Sequence, residues 1–159
     1  MTMLTKGLIA LLVVLSILYL MVAWTHGEIE VYHIPEDLFY LTLLVVVEAE
    51  GESPLGKLAV AHVAMNRSRL LKEPLMDVLF DPEEFTGFWV TRKVDKRIFR
   101  PAYAAARAAY FQTMPDPTKG STHYLNVELV KKKYGKLPSW YNSRYITVVI
   151  GNHTFLKLY

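Results

Sequence analysis

From Gly7 to Trp24 the chain reads GLIALLVVLSILYLMVAW, eighteen residues without a formal charge, and His26 and Gly27 prolong the run before Glu28. At about 1.5 Å of rise per residue, some twenty such residues reach across the roughly 30 Å hydrocarbon core of a bilayer, so the pattern predicts a transmembrane helix. Lys6 precedes the run, whereas Glu28, Glu30, Glu36 and Asp37 follow it. That asymmetry predicts a cytoplasmic N-terminus and an exported remainder. A cleaved signal peptide is the competing reading, but its apolar region is usually shorter and closes on a small-x-small site, which Trp24 to Gly27 match poorly. The expectation is an uncleaved signal anchor over residues 7–27.

Beyond the anchor the periodicity changes. Pro35 suits the first position of a helix, and Glu36 and Asp37 suit its positive end. The helix should run through Leu38, Phe39, Leu41, Leu43 and Leu44 to Glu48, apolar almost all round and therefore buried on most faces. Val45, Val46 and Val47 also permit a strand. Gly51 can end the element, and Ser53 with Pro54 starts a second helix through Ala59, Val60, Val63, Ala64 and Met65. The stretch PAYAAARAAYFQ from Pro101 favours a third, ended by Met114 to Pro117 and carrying Tyr103, Arg107 and Tyr110 near one face. From Arg144 to Tyr159, β-branched and aromatic residues alternate around Gly151 and Asn152, which reads as a hairpin with a primed turn, and Thr122 to Asn126 adds a third strand.

Helices before strands predict an α+β fold: an N-terminal transmembrane helix, then a mostly helical domain with a small C-terminal antiparallel sheet. No linker, repeat or low-complexity run interrupts the roughly 130 residues after the anchor. The expected organisation is residues 1–27 as anchor, 28–37 as juxtamembrane segment and helix start, and 38–159 as one domain.

Composition narrows the chemistry. A chain that is 52% hydrophobic and 21% charged has enough apolar residues for a core, which excludes a disordered protein. Cysteine is absent, and with it go disulfide frameworks, thiolate metal sites and cysteine nucleophiles. The net charge of +3 suggests an anionic partner without choosing among wall, lipid headgroup and nucleic acid. His26, His33, His62, His123 and His153 show no paired metal-ligand spacing, so no metal site is predicted. Phosphate-binding and nucleophile-elbow motifs are missing. The run from Lys131 to Lys136 reads as a solvated loop that could rest on an anionic polymer.

Glu48 follows the uninterrupted apolar run Leu43 to Val47, where desolvation would raise its pKa toward that of a general acid. Glu50 and Glu52 would push the same way by like-charge repulsion. Spacing alone also fits the commoner case, three glutamates solvating a helix end. Trp140 in LPSWY serves either packing or stacking on a sugar face.

The stretch VVVEAEGESPLGKLAVAHVAMNR resembles the opening signature of SleB/CwlJ-type bacterial cell wall hydrolases, apolar-A-E-A-x-G-E-x-x-x-G-x-x-A-V-A-x-V-x-x-N-R. The similarity continues in LFDPEEFTGF, the alanine-rich helix, DPTKGSTHYLN, LPSW and VVIGNHTF, in the family's order from about Leu38 to Phe155. Two departures are Val47, where the family often has Ala, and Glu84, where a Gln commonly precedes the Phe. The family's separate peptidoglycan-binding domain has no counterpart in this sequence, so targeting is expected from the anchor or the catalytic surface.

The resemblance implies a lysozyme-like α+β catalytic domain that cleaves peptidoglycan glycan strands between MurNAc and GlcNAc, commonly as a lytic transglycosylase forming 1,6-anhydroMurNAc. Carried over residue by residue, the catalytic acid is Glu48 and the second motif acid is Glu52. His123, Tyr124, Asn126, Trp140 and His153 fall in matched motifs and are expected to bind substrate. No cofactor is implied. A lone lytic domain behind an anchor also resembles a phage endolysin of the signal-anchor type, monomeric, held in the bacterial inner membrane through residues 7–27 with its catalytic domain in the periplasm or exterior, and without a nucleic-acid partner. Two alternatives remain open, a hydrolytic muramidase of the same fold and a non-catalytic membrane-anchored wall-binding protein.

Overall fold

A computed structural model of the chain describes residues 15–16, 34–81 and 94–158. The predicted anchor over residues 7–27, the start of the juxtamembrane segment and the LFDPEEFTGF motif beyond Asp81 lie outside the described residues, apart from Leu15 and Ser16, which are helical. Among the described residues no helix is long and apolar enough to cross a membrane. The chain divides into a unit up to His33 and a compact unit from Ile34 to Tyr159.

Helix α1 (Glu36–Ala49) begins directly after Pro35, with Glu36 and Asp37 in its first turn. The valines that left a strand open are helical here. Leu38, Leu41, Leu44, Val45, Val46 and Ala49 are buried on nearly every side, and Thr42 settles its hydroxyl on the Leu38 carbonyl at 2.7 Å, the usual way a buried helical threonine satisfies itself. Helix α2 (Pro54–Leu71) is capped by the Ser53 hydroxyl, which accepts from the Gly56 amide, and ends with Lys72 in the left-handed region.

A short helix α3 (Leu75–Phe80) follows, too short for the periodicity to reveal. The alanine-rich helix α4 (Lys96–Tyr110) starts five residues earlier than expected, because Asp95 caps it by accepting from the Arg97 amide. Pro101 therefore sits inside the helix. Its missing N–H removes one bond of the ladder, and the burial of Ala102, Ala105, Ala106 and Ala109 holds the helix together regardless. Those alanines face the core, where small side chains let α4 lie close to α1 and α2, while half-buried Tyr103 and Tyr110 pack against its edge.

Strand β1 (His123–Leu125) leads into helix α5 (Val127–Tyr134), capped by Asn126 and ended by Gly135 at φ +72°. Lys131, Lys132 and Lys133, expected in a loop, thus lie in the last turn of a helix, where cations suit the negative helix end, and Lys136 follows beyond Gly135. A 3₁₀ turn (Ser143–Tyr145) precedes the hairpin of β2 (Ile146–Ile150) and β3 (His153–Leu156). Gly151 has φ +58° and Asn152 does not have positive φ, the pattern of a type II′ turn.

The sheet is antiparallel in the order β1-β3-β2. Tyr124 pairs with Phe155, which pairs with Val148, and Ile150 pairs with His153. Directly paired residues share a face, so Tyr124, Phe155, Val148, His153 and Ile150 face the helices. Leu125, Thr154 and Val149 take the opposite face.

Candidate active site

Glu48 occupies the last turn of α1, half-buried. The helix delivers the carboxyl to its own negative end, which disfavours ionisation. Burial acts in the same sense and holds the Glu48 pKa above the ordinary carboxylate value, against a hydrogen bond from Tyr124 and the charge of Arg67, which pull it down. The Tyr124 hydroxyl donates to Glu48 Oε2 at 3.2 Å. Burial and the neighbouring Glu48 charge push the Tyr124 pKa well up, so the phenol keeps its proton and remains a donor. A half-buried carboxyl whose charged form is disfavoured, with one hydroxyl partner, suits a group that must carry a proton and release it to a leaving oxygen.

Glu52 has a different environment. Its carboxylate accepts from the Asn152 backbone amide at 3.3 Å and the Asn152 side-chain amide at 2.9 Å, tying the loop after α1 to the hairpin tip. Two glycines make room for it. A Cβ on Gly151 would stand 1.9 Å from Glu52 Oε2, and one on Gly56 would stand 2.9 Å from the Glu52 Cβ. Lys57 is buried and its ammonium donates to the carbonyls of Glu50, at 2.8 Å, and of Glu52, clasping the turn between the two acids. Glu50 is exposed.

His153 lies edge-on to Tyr124 with ring centroids 5.1 Å apart, and its Nδ1 stands 3.6 Å from Glu52 Oε1. Burial lowers its pKa, opposed by the Glu52 charge. Neutral His153 thus fills the space between the Glu48–Tyr124 pair and the Glu52 anchor.

The five expected substrate residues do not share one surface. Tyr124 and His153 join Glu48. His123 instead lies against Trp140, with ring centroids 5.2 Å apart and planes tilted by 52°, and shares a 3.0 Å hydrogen bond with the Thr122 hydroxyl. Its pKa falls to about 4 through burial and then the charge of Arg67. Asn126 caps α5, accepting from the Leu129 amide at 2.9 Å.

Two supports were not singled out in the sequence. Arg67 is buried in α2, donates from Nε to the Thr122 carbonyl and acts electrostatically on Glu48, Tyr124 and His123. Asn66 beside it donates to Asp116 Oδ2 and to the Ser121 carbonyl, both at 2.9 Å. Asp116 in turn accepts from Thr118 and Gly120. Burial alone would raise the Asp116 pKa, but these bonds outweigh it and the pKa is lowered. The loop it organises feeds β1 and so places Tyr124. The available signal was the polar pair Asn66-Arg67 directly after the apolar stretch Val63 to Met65 of α2. Among the described residues no cluster of histidine and carboxylate side chains could hold a metal ion.

A family profile described as Cell Wall Hydrolase matches residues 51–156, beginning just after Glu48. Among curated proteins, a spore cortex-lytic enzyme of Halalkalibacterium halodurans is 30% identical over 123 residues, covering 75% of this chain and 34% of that protein. A spore cortex-lytic enzyme of Bacillus cereus is 29% identical over 125 residues, covering 76% and 44%. The chain therefore spans less than half the length of these relatives. Among solved structures, the catalytic domain of the germination-specific lytic transglycosylase SleB from Bacillus anthracis superposes with a TM-score of 0.60 at 26% identity, covering 81% of this chain and 100% of that one. The catalytic domain of the Bacillus cereus SleB protein gives 0.61 at 25% identity, covering 83% and 98%.

Proposed function

We propose, from the premise that this chain belongs to the cell wall hydrolase family of SleB/CwlJ type, that it cleaves the glycan strand of peptidoglycan between MurNAc and GlcNAc as a lytic transglycosylase. The observation that carries this reading is the single half-buried Glu48, its pKa raised by burial and its carboxyl held by the Tyr124 hydroxyl. Protonated Glu48 gives its proton to the glycosidic oxygen as the C1–O bond breaks, and the GlcNAc side leaves with a new hydroxyl. The resulting carboxylate then takes the proton of the MurNAc C6 hydroxyl as that oxygen closes on C1. The product is 1,6-anhydroMurNAc, and no water is consumed.

A hydrolytic glycosidase needs a second carboxylate to activate water or attack C1. Glu52 is engaged by Asn152 through both backbone and side chain, which supports a positioning role for it and favours the one-carboxylate route. Tyr124 and His153 beside Glu48 are the residues proposed to contact sugar. The proposal extends to context: a signal anchor at residues 7–27 followed by one catalytic domain, holding a monomeric, cofactor-independent endolysin at the inner membrane and facing the wall.

The test is to digest purified peptidoglycan with the protein and with its Glu48→Gln variant and to identify the soluble products by mass spectrometry. Anhydro-muropeptides from the wild type, reduced about 10²–10⁴-fold in the variant, are expected. Reducing-end products would replace the mechanism with hydrolysis, and no products from the wild type would leave a wall-binding protein.

A further inference from the structure

The face of the sheet that turns away from the helices is not flat. Helix α5, the Tyr141 loop and the β2–β3 hairpin enclose a cleft of about 640 Å³, lined among others by Asn126, Glu128, Lys132, Tyr141, Val149 and Asn152. That volume falls in the range of about 300–1,000 Å³ typical of small-ligand sites. The Tyr124–Glu48 pair lies on the other face, so this cleft is separate from the proposed catalytic acid. The two meet at the hairpin tip, where Asn152 lines the cleft and also holds Glu52.

The segment that bears the cleft is basic, and of its cations Lys132 is the one that lines the cleft, beside Glu128. Lys131, Lys132, Lys133, Lys136 and Arg144 lie between residues 126 and 146 with Glu128 as the one acidic residue, whereas the whole chain carries only +3. All five cations are exposed. Glu128 and Lys132 stand one helical turn apart, and among the described residues no ion pair joins them. Leu129 and Val149 add apolar surface, 57% and 62% exposed.

We infer that the cleft is a second, non-catalytic site for the acidic stem peptides of peptidoglycan. A stem peptide carries several carboxylates, small methyl side chains and, at its diamino acid, an amine. Lys132 suits a carboxylate, Glu128 suits the amine, Leu129 and Val149 suit the methyl groups, and Asn126 and Asn152 suit backbone amides. A polyphosphate would match the cations but would meet Glu128 with like charge and leave the apolar walls unused. An extended tetrapeptide spans about 13 Å, enough for a stem borne by a sugar near the hairpin tip to enter the cleft while the strand lies at Glu48. The inference rests on the proposed reading in taking peptidoglycan as the polymer.

The test uses the full chain carrying Glu48→Gln, titrated by calorimetry with synthetic L-Ala-γ-D-Glu-meso-diaminopimelyl-D-Ala. Chitotetraose and poly(glycerol phosphate) are the comparison ligands. Saturable binding of the tetrapeptide is expected, weakened about tenfold or more by Lys132→Glu, which removes one charge-assisted contact and sets a like charge in its place, and weakened also by Tyr141→Ala. No binding, binding that neither substitution changes, or cleft-dependent binding of poly(glycerol phosphate) in place of the tetrapeptide would each overturn the inference. In the active chain, Lys132→Glu should raise KM on peptide-bearing strands with kcat unchanged, and should leave turnover of amidase-stripped strands unaffected. Calorimetry needs no turnover, so the stem-peptide site and the proposed reaction fail separately.

Discussion

Replacing Gly151 by alanine strikes the contact that fixes Glu52, and its cost can be worked out from two components. The residue has φ +58°, a conformation that costs an L-residue about 1–2 kcal/mol. The new Cβ would also stand 1.9 Å from Glu52 Oε2 and 3.0 Å from Glu52 Cδ, so the carboxylate must leave. Its bonds from the Asn152 amide at 3.3 Å and side chain at 2.9 Å go with it, a further loss of about 1–2 kcal/mol for charge-assisted bonds at a partly exposed site. The expected total is about 2–4 kcal/mol. Gly135 supplies the control, because it has φ +72° and nothing within 4 Å of its would-be Cβ, so Gly135→Ala should cost the conformational component alone, about 1–2 kcal/mol. Thermal unfolding of both variants should show Gly151→Ala falling further, by about 3–5 °C for each additional kcal/mol in a domain of this size. Amide exchange at Asn152 should accelerate only in Gly151→Ala. Equal losses in the two variants, with Asn152 protection unchanged, would refute the claim that Glu52 anchors the hairpin.

If Glu52 is an anchor rather than a second catalytic acid, Glu52→Gln should keep peptidoglycan turnover within about tenfold of wild type, whereas loss of a true acid–base group costs about 10²–10⁴; product release assayed beside Glu48→Gln separates the two. Glu48 also links stability to pH. Burial raises its folded-state pKa above the unfolded value, so the folded chain gains stability relative to Glu48→Gln as pH falls through that pKa, and at higher pH it carries the cost of a half-buried carboxylate. The glutamine variant should melt higher than wild type near pH 8, with the gap closing toward about pH 4; a gap that widens on acidification contradicts the assignment. His123, with its pKa lowered to about 4, should show no imidazole titration by NMR between pH 5 and 8. An inflection there would mean that its contact with Trp140 leaves the ring solvated.

What the sequence determined by itself is local. Pro35 with Glu36 and Asp37, and Ser53 with Pro54, mark helix starts through backbone geometry that neighbouring residues supply, and both helices begin there. Gly151 and Asn152 set the hairpin for the same reason. The apolar run before Glu48 marked it as a candidate desolvated acid, but spacing alone did not separate it from a glutamate solvating a helix end. Local signals misplaced the start of α4, because Pro101 looks like a first position while Asp95 supplies the cap, and they gave no notice of α3 or α5.

The tertiary structure alone decided partnership. Tyr124 reaches Glu48 across 76 residues and Asn152 reaches Glu52 across 100. No spacing rule encodes such pairs, because they follow from how the sheet packs on α1 and α2. The three acids look equivalent in EAEGE, yet Glu48 is left to a single phenol, Glu50 is exposed and Glu52 is locked to a hairpin. The pleat makes the same kind of decision for the C-terminal motif residues. His123 and Tyr124 are adjacent in sequence, and a strand turns adjacent side chains to opposite faces, so one belongs with Trp140 and the other with the Glu48 carboxyl.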